Sequence, residues 1–259
     1  MSSPRLHFGL PRLKGRLPEY AKSFGLLEVP CEPAPPTAKH LGRMKREAPE
    51  GFQFVVVAGR ALAELASSEP DAALIEATRR AAQALEARFL LLRTPASAGP
   101  SSRTRARLAR LSEALAGAAQ SIAWEPRGMW TDEEVVEIAG QHGLTLVRDV
   151  AEHDAPEGPV VYTRLLALGR NQRLGSGAIE RMSERLVGAE EAYVVIEGDG
   201  PGGVAKRLRA SLGQLREDNA AFGDDEDEDA EDGDAEEGED EDGDDAADDD
   251  SDDGELDEE

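Results

Sequence analysis

The chain has 259 residues, 54 of them acidic against 29 basic, and its net charge of −25 is lopsided: 26 acids and no base fall in residues 224–259, leaving a near-neutral body of 28 acids and 29 bases. A single cysteine, Cys31, excludes an internal disulfide or a multi-cysteine zinc site, and His7, His40, His142 and His153 show no metal-ligand spacing, so neither metal nor cofactor is expected. There is no long apolar run and no charged-then-apolar leader, which reads as a soluble cytoplasmic protein that does not span a membrane.

The first β-rich run, residues 6–10, opens a weak unit, and the second is at 26–29. Pro30, Pro33, Pro35 and Pro36 then stiffen a loop around Cys31, which has no histidine partner and reads as inert. A third run at 52–58 contains Phe54-Val55-Val56-Val57, apolar on both faces, and a helical pattern follows at 70–87. The fourth run, 89–94, leads to a helix at 102–118 with Ser102 as a candidate N-cap. The fifth, 121–125, stops abruptly at Pro126, which has no backbone donor to continue a ladder. Thr131 caps the next helix, 131–142, with Asp132, Glu133 and Glu134 at its positive end and Gly143 where a C-terminal cap is wanted. A sixth run at 144–150 connects to the seventh, 160–166, without a convincing helix. A helix at 176–187, an eighth run at 192–197 and a helix at 203–215 complete the body.

Eight strands joined by helices need crossover connections and hence a parallel sheet. The natural closure is an α/β fold of the TIM-like (β/α)8 barrel type, lean for its kind, over residues 1–216, with an open doubly wound sheet as the alternative. Residues 217–259 form a separate Asp/Glu-rich tail, expected to be disordered because it has almost no apolar surface to bury. Such a tail either solubilises the body or docks a basic protein partner, and it argues against direct binding of nucleic acid.

In barrels of this kind chemistry gathers where strands end. The polar residues at those points are Glu28, Arg93, Glu125, Arg127, Asp149, Arg164 and Glu197, and the candidate pocket is Glu28, Trp124, Glu125, Arg127, Asp149 and Arg164. Two readings stand side by side. The carboxylates do acid/base work while the arginines clamp a small anionic ligand, or the two sets neutralise each other and close the mouth. Trp124 reads as core or pocket wall. Gly198-Asp199-Gly200-Pro201-Gly202-Gly203 fits G-x-G-x-x-G after a strand, but Asp199 would repel a phosphate and Pro201 lacks an N–H, so a plain loop is favoured.

Several stretches together resemble a known family. They are Glu19-Tyr20-Ala21-Lys22-Ser23-Phe24, Ala48-Pro49-Glu50-Gly51-Phe52 and Ala123-Trp124-Glu125-Pro126-Arg127-Gly128, with further echoes at 89–95, 143–149 and 162–165. The chain is similar in this way to the YecE-like family, domain of unknown function 72, over nearly all of residues 5–216. The resemblance implies a TIM-like barrel and brings no mechanism. Where the family pattern has Asn, a small hydroxyl residue, Thr, Phe and Tyr after the second strand, this chain has Pro30-Cys31-Glu32-Pro33-Ala34. A His-Gly pair is replaced by Leu166-Ala167, a proline by Val150 and paired asparagines by Glu197-Gly198. The charged set survives while neutral polar and histidine positions are lost, so the pocket reads as eroded. The expected function is a non-catalytic or weakly catalytic binding module. The alternative is a hydrolase-type enzyme acting on a phosphorylated or anionic small substrate.

Overall fold

The computed structural model describes residues 5–166, 175–198 and 200–223. Its eight strands are β1 Arg5–Leu10, β2 Leu26–Pro30, β3 Gln53–Val57, β4 Phe89–Arg93, β5 Ser121–Glu125, β6 Thr145–Arg148, β7 Val160–Leu165 and β8 Glu191–Ile196. They pair in parallel in chain order, and β8 returns to β1, so the sheet is a closed barrel and the open-sheet alternative falls. The helices are α1 Leu17–Tyr20, α2 Ala38–Glu47, α3 Arg60–Ala63, α4 Ala72–Ala84, α5 Ser102–Leu115, α6 Asp132–Gln141, α7 Ser176–Leu186 and α8 Pro201–Gly223.

Strand side chains alternate between two cores. Leu26, Val55, Val57, Phe89, Leu91, Ala123, Val147 and Tyr162 point inward and fill the barrel. Leu27, Phe54, Val56, Leu90, Leu92 and Trp124 point outward, under the helices. Burial on both faces is why these strands read as unbroken apolar runs. The seam between β1 and β2 is narrow: a Cβ on Gly9 would lie 2.3 Å from the Leu26 carbonyl oxygen, so only glycine lets the two backbones meet. Their ladder is short, and the Tyr20 hydroxyl extends it, accepting from the Leu10 amide at 2.8 Å and donating to the Leu26 carbonyl at 2.6 Å.

The helix ends follow their capping chemistry, with two corrections. Thr131 and Glu134 form a reciprocal capping box on α6, as the sequence indicates. On α5 the cap is Ser101, whose side chain accepts from the Thr104 amide, and Ser102 is already inside the helix. The last helix runs from Pro201 to Gly223, longer at both ends than the 203–215 expected. The tail, residues 224–259, lies outside the described residues, and with it the expectation of disorder. Between β6 and β7 there is no helix, as the sequence suggested; Asp149 braces that connection by accepting from the amides of Ala151 at 2.9 Å and Leu166 at 2.7 Å. Among the described residues no helix is long and apolar enough to cross a membrane.

Candidate functional site

The C-terminal ends of the strands carry one connected set of charges. Period-two alternation turns Glu28 of β2, Arg93 of β4, Glu125 of β5 and both Tyr162 and Arg164 of β7 toward the barrel axis. The Arg164 guanidinium bridges the mouth. Its Nε and Nη2 donate to the two oxygens of Glu28 at 2.7 and 3.1 Å, and its Nη1 donates to Glu125 Oε2 at 2.7 Å. Tyr162 donates to Glu28 Oε1 at 2.5 Å. Arg93, paired in register with Glu125, reaches its Oε2 at 2.8 Å, and Arg127 Nη2 reaches Oε1 at 3.0 Å. All four carboxylate oxygens of Glu28 and Glu125 therefore already accept hydrogen bonds.

Arg164, Glu28 and Tyr162 are at most 1% exposed, so the electrostatics are strong. Burial alone would push the Glu125 carboxyl up, but Arg164, Arg93 and Arg127 together hold it below its ordinary value. Burial would likewise depress Arg164, and Glu28 and Glu125 more than reverse that, so it stays protonated. Burial first, and Glu28 second, raise the Tyr162 hydroxyl well above its ordinary value. A carboxylate held this low is a poor general acid, and a phenol held this high is a poor base.

Two depressions flank the bridge. One, of about 270 Å³, lies between the ends of β1, β2 and β8 and is lined by Arg12, Lys14, Arg93, Glu28, Arg164 and Glu197. Arg12 and Lys14 are exposed and make no ion pair among the described residues, while Glu197 stands half-exposed, 3.6 Å from Arg164. The other, of about 220 Å³, lies over β5 and β6 and is lined by Trp130, Arg127, Arg148, Asp149, Glu152 and His153 among others. Among the described residues no cluster of His, Cys, Asp and Glu is arranged to hold a metal ion.

Of the six candidate residues, Glu28, Glu125, Arg127 and Arg164 come together at the mouth. Asp149 borders the second depression, but both its oxygens accept backbone amides, so it braces a connection. Trp124 takes the core half of its reading and does not line the mouth. Its neighbours Ala123 and Glu125 point inward, so its own ring points outward, fully buried, donating to Thr94 Oγ1 at 3.1 Å and set edge-on to Trp130. Cys31 is buried, and burial pushes its thiol up to about 11, which makes it an unreactive core residue. In the Gly198–Gly203 loop Asp199 lies outside the described residues, and α8 starts at Pro201, a position where the missing N–H costs nothing. Sequence reasoning missed Tyr162, Arg12 and Lys14. The signal for Tyr162 was its parity with Arg164; for Arg12 and Lys14 it was their place just past the end of β1.

The family model described as "Protein of unknown function DUF72" matches residues 7–225, and the chain belongs to that family. Among solved structures it is similar to a DUF72 family protein from Enterococcus faecalis V583, with 18% identity and a TM-score of 0.62 over 80% of this chain and 95% of that one. A DUF72 family protein from Thermotoga maritima MSB8 gives 18% identity and a TM-score of 0.60 over 82% and 99%. An AP endonuclease, family 2, from Brucella melitensis gives 13% identity and a TM-score of 0.56 over 83% and 98%. These likenesses show a shared barrel fold. No curated protein matches the chain.

Proposed function

We propose that this DUF72 member is a non-catalytic or weakly catalytic binding barrel that takes a small anionic ligand, a phosphate or carboxylate, at its mouth. One observation carries the reading: the mouth carboxylates are fully engaged by Arg164, Arg93, Arg127 and Tyr162, while Arg12 and Lys14 line an adjoining depression without an ion pair among the described residues. Counting that depression with the Glu125 that Arg93 serves, four cations stand against three carboxylates among the described residues. Arginine offers a planar fork for such anions, lysine a point charge. The tail contributes a separate function, keeping the body soluble and attracting a basic partner. A cytoplasmic setting is supported by the single buried thiol.

A hydrolase acting on a phosphorylated substrate is the second reading, favoured by the buried Tyr162–Glu28–Arg164 set standing where barrels keep their catalytic groups. A thermal-shift screen of the full chain with inorganic phosphate, sugar phosphates and nucleotides tests the binding reading. A phosphate ligand at a hundredfold excess over Kd adds about 2.7 kcal/mol, or roughly 5–10 °C for a body of this size. The shift should vanish in the Arg12→Ser, Lys14→Ser double variant, whose changes are on exposed side chains. No shift with any phosphate, or one the double variant keeps, overturns the reading.

A further inference from the structure

Charge on the body is near balance in total and far from balance in place. Residues 11–16, the loop after β1, hold Arg12, Lys14 and Arg16 and no acid. Residues 200–216, which include most of α8, hold Lys206, Arg207, Arg209 and Arg216 and no acid. With these seven set aside, the 29 bases of the body fall to 22, against all 28 of its acids. Arg12, Lys14, Arg16 and Lys206 are exposed and make no ion pair among the described residues.

The two cationic segments adjoin. Strand β8 pairs with β1 in parallel, Val195 beside Gly9, so the chain leaves both strands at the same end of the barrel. From β1 it enters the 11–16 loop, where Arg12 and Lys14 line the depression of about 270 Å³. From β8 it passes into α8, which lies against β1 with Arg209 over the Phe8 ring at 4.7 Å. Ala205, Leu208 and Leu212 of that helix are buried, which turns Lys206, Arg207 and Arg209 outward. A cationic strip therefore runs from the mouth along α8 toward Gly223, and residues 224–259 follow directly on its far end.

We infer that the acidic segment 224–259 folds back on this strip and reaches the mouth, where it competes for the cations that hold an anion. Charge selects the occupant: 26 acids without a base meet seven bases without an acid. Length permits it. Helix α8 has 23 residues and carries the chain roughly 34 Å from the mouth. A coil of 36 residues has an r.m.s. span of roughly 30–36 Å, and like charges extend it further. Effective concentration is greatest when such a span matches the distance to be crossed. A basic protein that captures the segment would free the mouth, so partner and anion would strengthen each other's binding, and by the same factor. The competition rests on the anion site proposed above; the docking along α8 does not.

The test uses the full chain. A zero-length carbodiimide couples carboxylates to the lysine amines that they touch, and mass spectrometry locates the links. Lys14 and Lys206 lie on the strip, whereas Lys22, Lys39 and Lys45 lie elsewhere. Links from 224–259 to Lys14 and Lys206 should dominate and should persist on dilution. A full-length variant with every Asp and Glu of 224–259 changed to Asn and Gln supplies the second readout, affinity for inorganic phosphate. A segment that covers the mouth in two molecules of three leaves the native chain with about threefold the apparent Kd of the variant. Salt at about 1 M should close that gap. Links spread evenly over the five lysines, links that vanish on dilution, or equal phosphate affinity of the two forms at low salt would overturn the inference. Phosphate binding by neither form would overturn the anion site itself, a failure distinct from loss of the Lys14 and Lys206 links.

Discussion

Arg164 is the residue on which the mouth depends. It is 1% exposed and holds two buried carboxylates, Glu28 and Glu125, at most 5% exposed. Arg164→Leu leaves those carboxylates in place without their main counter-ion, and truncating a buried ion pair in this way costs about 3–5 kcal/mol. The pH dependence follows from the sign of the shift. The Glu125 pKa lies below its ordinary value in the folded protein, so its contribution is present above the unfolded pKa and is lost as pH falls through the folded one. Without Arg164, Glu125 loses the charge that lowers it most, so the variant's deficit should be largest near neutral pH and shrink as Glu125 protonates in acid, toward pH ~4. Urea denaturation at the two pH values checks this, and a deficit that does not change with pH would mean the pair is not ionised. At this scale the sequence was partly legible. Glu28, Glu125, Arg127 and Arg164 announce themselves as charges at strand ends. Trp124 was read as core or pocket wall; the alternation that sends its ring outward decides for the core, which the distinctive hexapeptide had left open. Arg12 and Lys14 went unseen because they follow the weakest unit of the pattern.

Elements were the most legible scale, for a physical reason. A strand buried on both faces must be apolar throughout, and a helix on the outside must show a 3.6-residue stripe, so each leaves a pattern several residues long. Helices α1 and α3, four residues each, are too short to show any stripe, and they were not anticipated; nor was α2, ten residues long, which follows directly on the proline-rich loop. The stretches that carried the family resemblance prove to build the barrel as much as its mouth. Tyr20 hydrogen-bonds across β1 and β2, and Phe52 packs against both Tyr20 and Phe54. Helix α6 offers a clean test because its start is fixed by a reciprocal capping box. Thr131→Ala removes the side-chain half of its capping box and should cost about 1 kcal/mol in a denaturant titration. The exposed Thr131→Asp variant, which keeps an acceptor at the N-cap, should restore most of it. Equal stability of the alanine and aspartate variants would mean that the cap contributes nothing.

The whole molecule joins a near-neutral barrel to a segment carrying 26 acids. Residues 224–259 include no aromatic and a single leucine, Leu256, and so offer the barrel almost no apolar surface to bury. Removing them should leave the Tm nearly unchanged while moving the net charge from −25 to about +1, and solubility near neutral pH should fall. Melting curves and a precipitation titration on both forms check this; a drop of many degrees would mean that the tail packs on the body. The proposed function rests on the mouth, where engaged carboxylates argue for holding an anion rather than cleaving it. The most direct measurement is a phosphorus NMR titration of a simple phosphomonoester, such as phenyl phosphate, with the full chain. An anion-holding mouth should broaden or shift that resonance as protein is added, with no inorganic phosphate signal growing over hours. Growth of that signal, with the ester signal declining to match, would contradict the account and show a hydrolase; an unperturbed resonance would contradict the anion site itself.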